Sequence, residues 1–394
     1  MKLRTLAAAA VTLASLAAAG CSPEQVIRCA LTDLLAVEPG PQPADTRTVA
    51  AAAETVPVAD ACDAADDPAV WVNEADPEAS LIVATNKVRG FVVYDLDGAV
   101  VSTSDVGRVN NVDLRDGIDV GGRQTIVVAA TNRTTETIDV LALDPDTGAL
   151  TPLVDTPIRP DFGDEPYGLC LYRPAASGEL YVFANDLEGA VEQWRLDGDG
   201  GSGLSGTRVR SWAVGSQTEG CVADDANGWL FIGEEEVGVW RYDAGPDAST
   251  VERVAIDRVG VGEPGGGHLA ASVEGLSIYA PPGGGPRDGY LLASSQGNNT
   301  YVVYDRAPPH AYRGTFRVGG GADEAAGGSG AIDGAEDTDG LQIVSTPVGP
   351  RYPRGLLVVQ DGKNRAPDAS EANQNFKLIS WGDVLDALDL PPAS

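Results

Sequence analysis

The strongest constraint on how this 394-residue chain can fold is a short phrase that returns six times: an alternating apolar strand, an aromatic residue or Leu, then an acidic turn. It occupies residues 91–98, 138–144, 191–198, 237–243 and 301–306, and more loosely 376–383. Alternation with period 2 sends successive side chains to opposite faces of a strand, and a repeated unit of this kind buries its apolar faces by packing against its own copies. The interval between copies starts near the length of a four-stranded blade. It widens toward the C-terminus, where Gly-rich insertions at 265–267, 283–285 and 319–330 read as loops. The expectation is an all-β chain forming a six-bladed β-propeller of four-stranded antiparallel blades over residues 47–390, with a β-sandwich as the alternative.

Propellers gather their variable loops at the ends of a central channel, so acidic residues at strand ends far apart in sequence should converge there. Acidic clusters stand beside Gly or Pro at residues 63–68, 218–220, 233–236, 273–275 and 333–340. For any single cluster the plain alternative is a solvated turn. Together they offer the oxygen ligands that a hard cation such as Ca²⁺ collects from several loops. No EF-hand loop or tandem calcium-binding nonapeptide is present, so such a site must be assembled by the fold.

The formal charge of −31, with 58 Asp and Glu against 27 Lys and Arg, argues against nucleic acid as a partner, which requires a basic surface. Lys2 and Arg4, an apolar run over 6–16 and the small residues before Cys21 have the order of a secretory signal at residues 1–20. That run is too short to span a bilayer. Cys21 is placed for lipid anchoring, and residues 21–46 read as a tether, so the protein is expected to be exported and either held at the cell envelope or secreted. Cys29, Cys62, Cys170 and Cys221 lack metal-ligand spacing and allow three disulfide pairings or buried thiols.

Eleven phrases, at residues 66–72, 85–87, 110–115, 132–133, 165–168, 218–220, 273–276, 294–298, 337–340, 360–362 and 373–377, occur in an order that resembles the β-propeller phytases. The resemblance implies a monomeric, calcium-dependent phosphomonoesterase that hydrolyses phytate (myo-inositol hexakisphosphate) using several Ca²⁺ ions. It implies that Asp66, Glu219, Glu235 and Glu274 hold the catalytic calcium ions, with Tyr167 beside them. Asp67, the Pro68 carbonyl, Gln296, Asp333 and Asp339 would belong to calcium sites, most of which brace the structure. Lys87, Arg133 and Tyr167 match residues that contact the scissile phosphate, which gives Lys87, Arg133, Tyr167 and Glu219 as the catalytic set. One position departs: where the family commonly has a second phosphate-binding Lys, this chain has Leu187.

The chemistry implied is attack of a metal-activated water on phosphorus, with Lys87 and Arg133 stabilising charge on the phosphate oxygens. The only histidines, His268 and His310, lie outside any Arg-His-Gly context, and no Cys sits in a His-Cys loop ending in Arg, which disfavours phosphohistidine and cysteine-phosphatase routes. Two rival functions fit the same fold: another propeller enzyme, such as a sugar lactonase or a quinone-dependent sugar dehydrogenase, and a noncatalytic binding module stiffened by calcium.

Overall fold

A computed structural model of the chain describes Cys29 and residues 38–250, 252–320, 332–366 and 370–391. The expected signal segment, residues 1–20, and the expected anchor at Cys21 lie outside the described residues. Six sheets, antiparallel apart from one added edge strand, succeed one another around a channel, and the chain is a six-bladed β-propeller. The innermost strands of blades 1 to 6 are Ala65–Trp71, Val109–Val120, Pro166–Tyr172, Thr218–Asp224, Val273–Tyr279 and Leu341–Val344. The recurring phrase is the third strand of every blade: Gly90–Asp95, Thr137–Leu143, Ala190–Gly198, Gly238–Asp243, Thr300–Asp305 and Asn375–Ser380. These strands lie inside a sheet and face neighbouring blades on both sides, which is why their apolar pattern is the most regular in the sequence.

The ring closes with residues from both ends of the chain. Ala53–Glu54 pairs antiparallel with Asn375–Ser380 and completes blade 6, whose other three strands are C-terminal. Arg47–Ala50 runs parallel to Tyr312–Gly319 and gives blade 5 a fifth strand, one more than the four expected from the repeat. A helix, Trp381–Ala387, packs its buried Trp381, Val384 and Leu385 into the core between blades 5 and 6. The six hydrophobic clusters each lie at the seam of two adjacent blades, because a blade has two apolar faces and only its neighbours can cover them.

Two structural positions recur in every blade and set the geometry of one channel mouth. The first lies at or just before the start of the inner strand and is a β-bulge in five of the six blades. Pairing with the second strand slips between Ala65 and Pro68, Val109 and Val112, Pro166 and Leu169, Thr218 and Cys221, and Val273 and Leu276. The bulged pairs are Asp66-Asp67, Asn110-Asn111, Tyr167-Gly168, Glu219-Gly220 and Glu274-Gly275, and in blade 6 Asp339-Gly340 stands just before the strand. A bulge re-aims its side chains out of the pleat. Adjacent bulges also touch: a Cβ on Gly168 would lie 1.9 Å from the Glu219 carbonyl oxygen, and one on Gly220 would lie 2.0 Å from that of Glu274. Only glycine permits that approach.

The second recurring position is the first residue after the second strand: Lys87, Arg133, Leu187, Glu235, Gln296 and Gly362. In four blades its backbone N–H donates to the carbonyl of the residue just before the inner strand, as Lys87 does to Ala64, Arg133 to Arg108, Glu235 to Gln217 and Gln296 to Ser272. The two positions are thereby tied together at the same end of these four blades.

Candidate active site

The bulge ring contributes Asp66, Asn110, Tyr167, Glu219, Glu274 and Asp339, and the turn ring adds Lys87, Arg133, Glu235 and Gln296. Carboxylate oxygens of Glu219, Glu235 and Glu274 lie within 4.8 Å of one another, all three residues buried, a grouping suited to a metal ion. Glu235 Oε1, Glu274 Oε2 and Asp66 Oδ2 are buried and, among the described residues, accept no hydrogen bond. Such unsatisfied carboxylates are costly without a cation, so this donor set fits a hard metal. Burial is the main force raising the carboxyl pKa values of Asp66, Glu219 and Glu235 to about 7 and of Asp339 to about 8. The acids also repel one another: Asp339 raises both Glu219 and Glu235.

The cationic side chains stand against this cluster. Lys87 Nζ lies 2.6 Å from Asp63, 2.8 Å from Asp339 and 3.2 Å from Asp66. Burial works against its charge, but Asp339, Asp63 and Asp66 outweigh it and hold the ammonium pKa well above its ordinary value. Arg133 donates to Glu165 at 2.7 Å and stands 5.4 Å from the centre of the Tyr167 ring. The negative charge of Glu219, followed by burial, pushes the Tyr167 phenol well above its usual pKa, so it remains a neutral donor at ordinary pH. One mouth thus holds a carboxylate cluster with two cations at its edge.

A profile of the phytase family matches residues 2–393. The 3-phytase of Bacillus subtilis (strain 168) is 41% identical over 349 residues, covering 87% of this chain and 86% of that protein. The chain belongs to the phytase family. Similar solved structures are distant: an auxiliary nutrient binding protein from Bacteroides thetaiotaomicron VPI-5482 has a TM-score of 0.48 at 12% identity, covering 83% of this chain and 72% of that one. The Dos1 propeller has a TM-score of 0.38 at 10% identity, covering 80% and 67%.

With the phytase family established, the candidate residues sort by position. Asp66, Lys87, Arg133, Tyr167, Glu219, Glu235, Glu274 and Asp339 share the mouth, and Gln296 joins them by donating to Asp339 Oδ1. Glu219 and Glu274 stand at strand ends as expected, in the opening residues of inner strands, where the bulge turns them inward. Asp67 and Pro68 line a cavity of about 290 Å³ in the channel behind the mouth, where Asp67 Oδ2 accepts from Val112 N at 3.0 Å. Asp333 is apart from both, in a second buried cluster where Lys377 Nζ meets Asp333, Glu54, Asp361 and Asn364. Lys87, read from sequence as a phosphate contact separate from the metal set, is ion-paired with two members of it, Asp66 and Asp339.

The sequence reading missed Asn110. It is fully buried, donates to Glu219 Oε1 at 2.7 Å, and its Oδ1 lies 3.4 Å from Arg133 Nη1, so it joins the acidic side of this phytase site to its cationic side. The available signal in the sequence was its place at the head of the phrase at 110–115. The Glu165 clamp was also missed: this carboxylate takes both nitrogens of Arg108 at 3.0 Å besides Arg133.

Proposed function

We propose that this phytase-family enzyme hydrolyses phytate through calcium ions held by Asp66, Glu219, Glu235, Glu274 and Asp339. The observation that carries this reading is the buried trio Glu219, Glu235 and Glu274, in which Glu235 and Glu274 each keep an unsatisfied oxygen, at a mouth with Lys87 and Arg133. An acidic cluster alone would repel a polyphosphate. Bound there, calcium would supply the positive charge that admits phosphate and acidify a water for attack.

The chain's own groups act around that charge. Arg133 presents its guanidinium beside Tyr167, and exchanging Glu165, which it holds through Nε, for a phosphate oxygen keeps a charge-assisted hydrogen bond in place. Lys87, held among three carboxylates, contributes a compact positive charge that moves to equatorial phosphate oxygens as negative charge builds there. Neutral Tyr167 offers a phenol proton to the same group. Asn110 holds the Glu219 carboxylate in place. Direct attack by water needs no protein nucleophile.

Gln296 completes the set at Asp339, while Asp67 with Pro68, and Asp333 in its own cluster, serve bracing calcium sites. The N-terminal signal order supports export, with anchoring through Cys21 or release, and the enzyme acts as a monomer. The test is phosphate release from phytate by the purified protein, with calcium and with excess chelator. Release only with calcium, together with a lower melting temperature in chelator, supports the reading. Undiminished release in chelator would exclude it.

A further inference from the structure

The six seams between blades differ in one respect. Inner strands of adjacent blades belong to separate sheets, so no ladder of backbone hydrogen bonds fixes one against the next. Their relative position rests on side-chain packing and a few isolated contacts. The seam between blades 3 and 4 is the exception among the described residues, because Cys170 and Cys221 join the two inner strands by a disulfide with a Cα–Cα distance of 5.7 Å. The other disulfide, Cys29–Cys62, lies outside the inner strands.

Its place is informative. Cys170 follows the Tyr167-Gly168 bulge and Cys221 directly follows the Glu219-Gly220 bulge, so the covalent tie sits immediately beneath the pair of site residues contributed by these blades. Both cysteines are buried against the channel cavity, at 2% and 8% exposure. Above the disulfide, the Asn185 amide bridges the same seam, accepting from Gly168 N and donating to the Glu219 carbonyl, each at 3.0 Å. Tyr167 and Glu219 are thus clamped from both sides, and the Glu219 carboxylate is the one whose charge acts most strongly on Tyr167.

We infer that the Cys170–Cys221 disulfide is a positioning device for the active site, fixing Glu219 relative to Tyr167 so that the carboxylate trio keeps its metal-binding geometry. This rests on the proposed metal site. The three carboxylates lie within 4.8 Å of one another, so a shift of Glu219 when the seam is loosened changes its distance to both Glu235 and Glu274. Groups that orient metal ligands change metal affinity by about 10- to 100-fold when removed.

The experiment compares the full protein with its Cys170→Ala/Cys221→Ala double variant at a temperature where circular dichroism shows both fully folded. Terbium titration reads the metal site without catalysis, and phytate kinetics read the reaction. The expected result is terbium affinity about tenfold weaker, with kcat reduced more than KM is raised, beyond any drop in melting temperature. Equal terbium affinity and equal kcat in the folded variant, with only a lower melting temperature, would overturn the inference and leave the bond a general stabiliser. Should the double variant not fold, the bond is reduced in the folded protein carrying Cys29→Ala/Cys62→Ala, where it is the sole disulfide, and the same two outcomes decide. A parent protein that binds no terbium overturns the proposed metal site itself, and this inference with it.

Discussion

Exchanging Glu219 for Gln should stabilise the metal-free protein and at the same time remove much of its response to calcium. Burial, with help from Asp339, raises the Glu219 carboxyl from 4.5 to about 7. The raised value means that ionising this group opposes folding, a cost absent below the unfolded pKa and complete above the folded one. At about 1.4 kcal/mol per pH unit, holding the charge at pH 8 costs the folded chain about 3 kcal/mol. Glu219→Gln abolishes that cost while keeping the shape and the oxygen that accepts from Asn110. With an unfolding entropy of roughly 0.7 kcal/mol/K for a chain of this length, the melting temperature in chelator should rise by about 4 °C. In calcium at 100 times its dissociation constant each intact site adds about 2.7 kcal/mol, and the variant should lose at least one such increment along with most of its turnover. Paired thermal scans in chelator and in calcium at pH 8 provide the assay. A variant less stable than its parent in chelator, with the calcium increment intact, would show that Glu219 is a structural carboxylate and that the metal reasoning is wrong.

The same carboxyls set a pH dependence. Asp66, Glu219 and Glu235 at about 7 and Asp339 at about 8 hold protons in the fold that the unfolded chain releases near 4, so metal-free stability should fall as pH rises from about 4 to 8. Metal affinity should move oppositely, weakening steeply below pH 7, because the ligands must lose those protons to bind; calorimetric titration at pH 6 and pH 8.5 with equal affinities would contradict this. Lys87→Met should lower metal-free stability at pH 8 by about 3 kcal/mol, since it strands Asp66 and Asp339 without their cation, and should enlarge the calcium increment. Denaturation midpoints in chelator that match the parent would refute that role. Leu187→Lys places a cation in the turn ring between Arg133 and Glu235, and should lower the KM for phytate more than it alters kcat. Unchanged KM in steady-state kinetics would mean that another group already meets that phosphate.

The sequence by itself determined the architecture. The third strand of each blade is buried on both faces, and that demand writes the same alternating phrase at residues 91–98, 138–144, 191–198, 237–243, 301–306 and 376–383, so six repeats could be counted without coordinates. Most mouth residues were also legible, because Asp66, Glu219 and Glu274 stand in distinctive short phrases beside Pro or Gly. Tertiary structure decided the rest. Each bulge side chain is aimed by a register slip that depends on a partner strand, and each is packed against the next blade's bulge, so the ring that includes Asn110 exists only once the propeller closes. Closure itself, with Ala53–Glu54 completing the last blade, pairs residues more than 300 positions apart, which no local pattern encodes. Cysteine pairing was open for the same reason: bringing Cys170 to Cys221 requires two neighbouring blades to stand side by side. The buried charges were the least legible, because the phrase that marks Glu219 says nothing of how deeply its carboxylate is buried or which charges surround it. Its desolvation, its neighbours and the ion pairs of Lys87 arise from residues that meet at the mouth from separate blades.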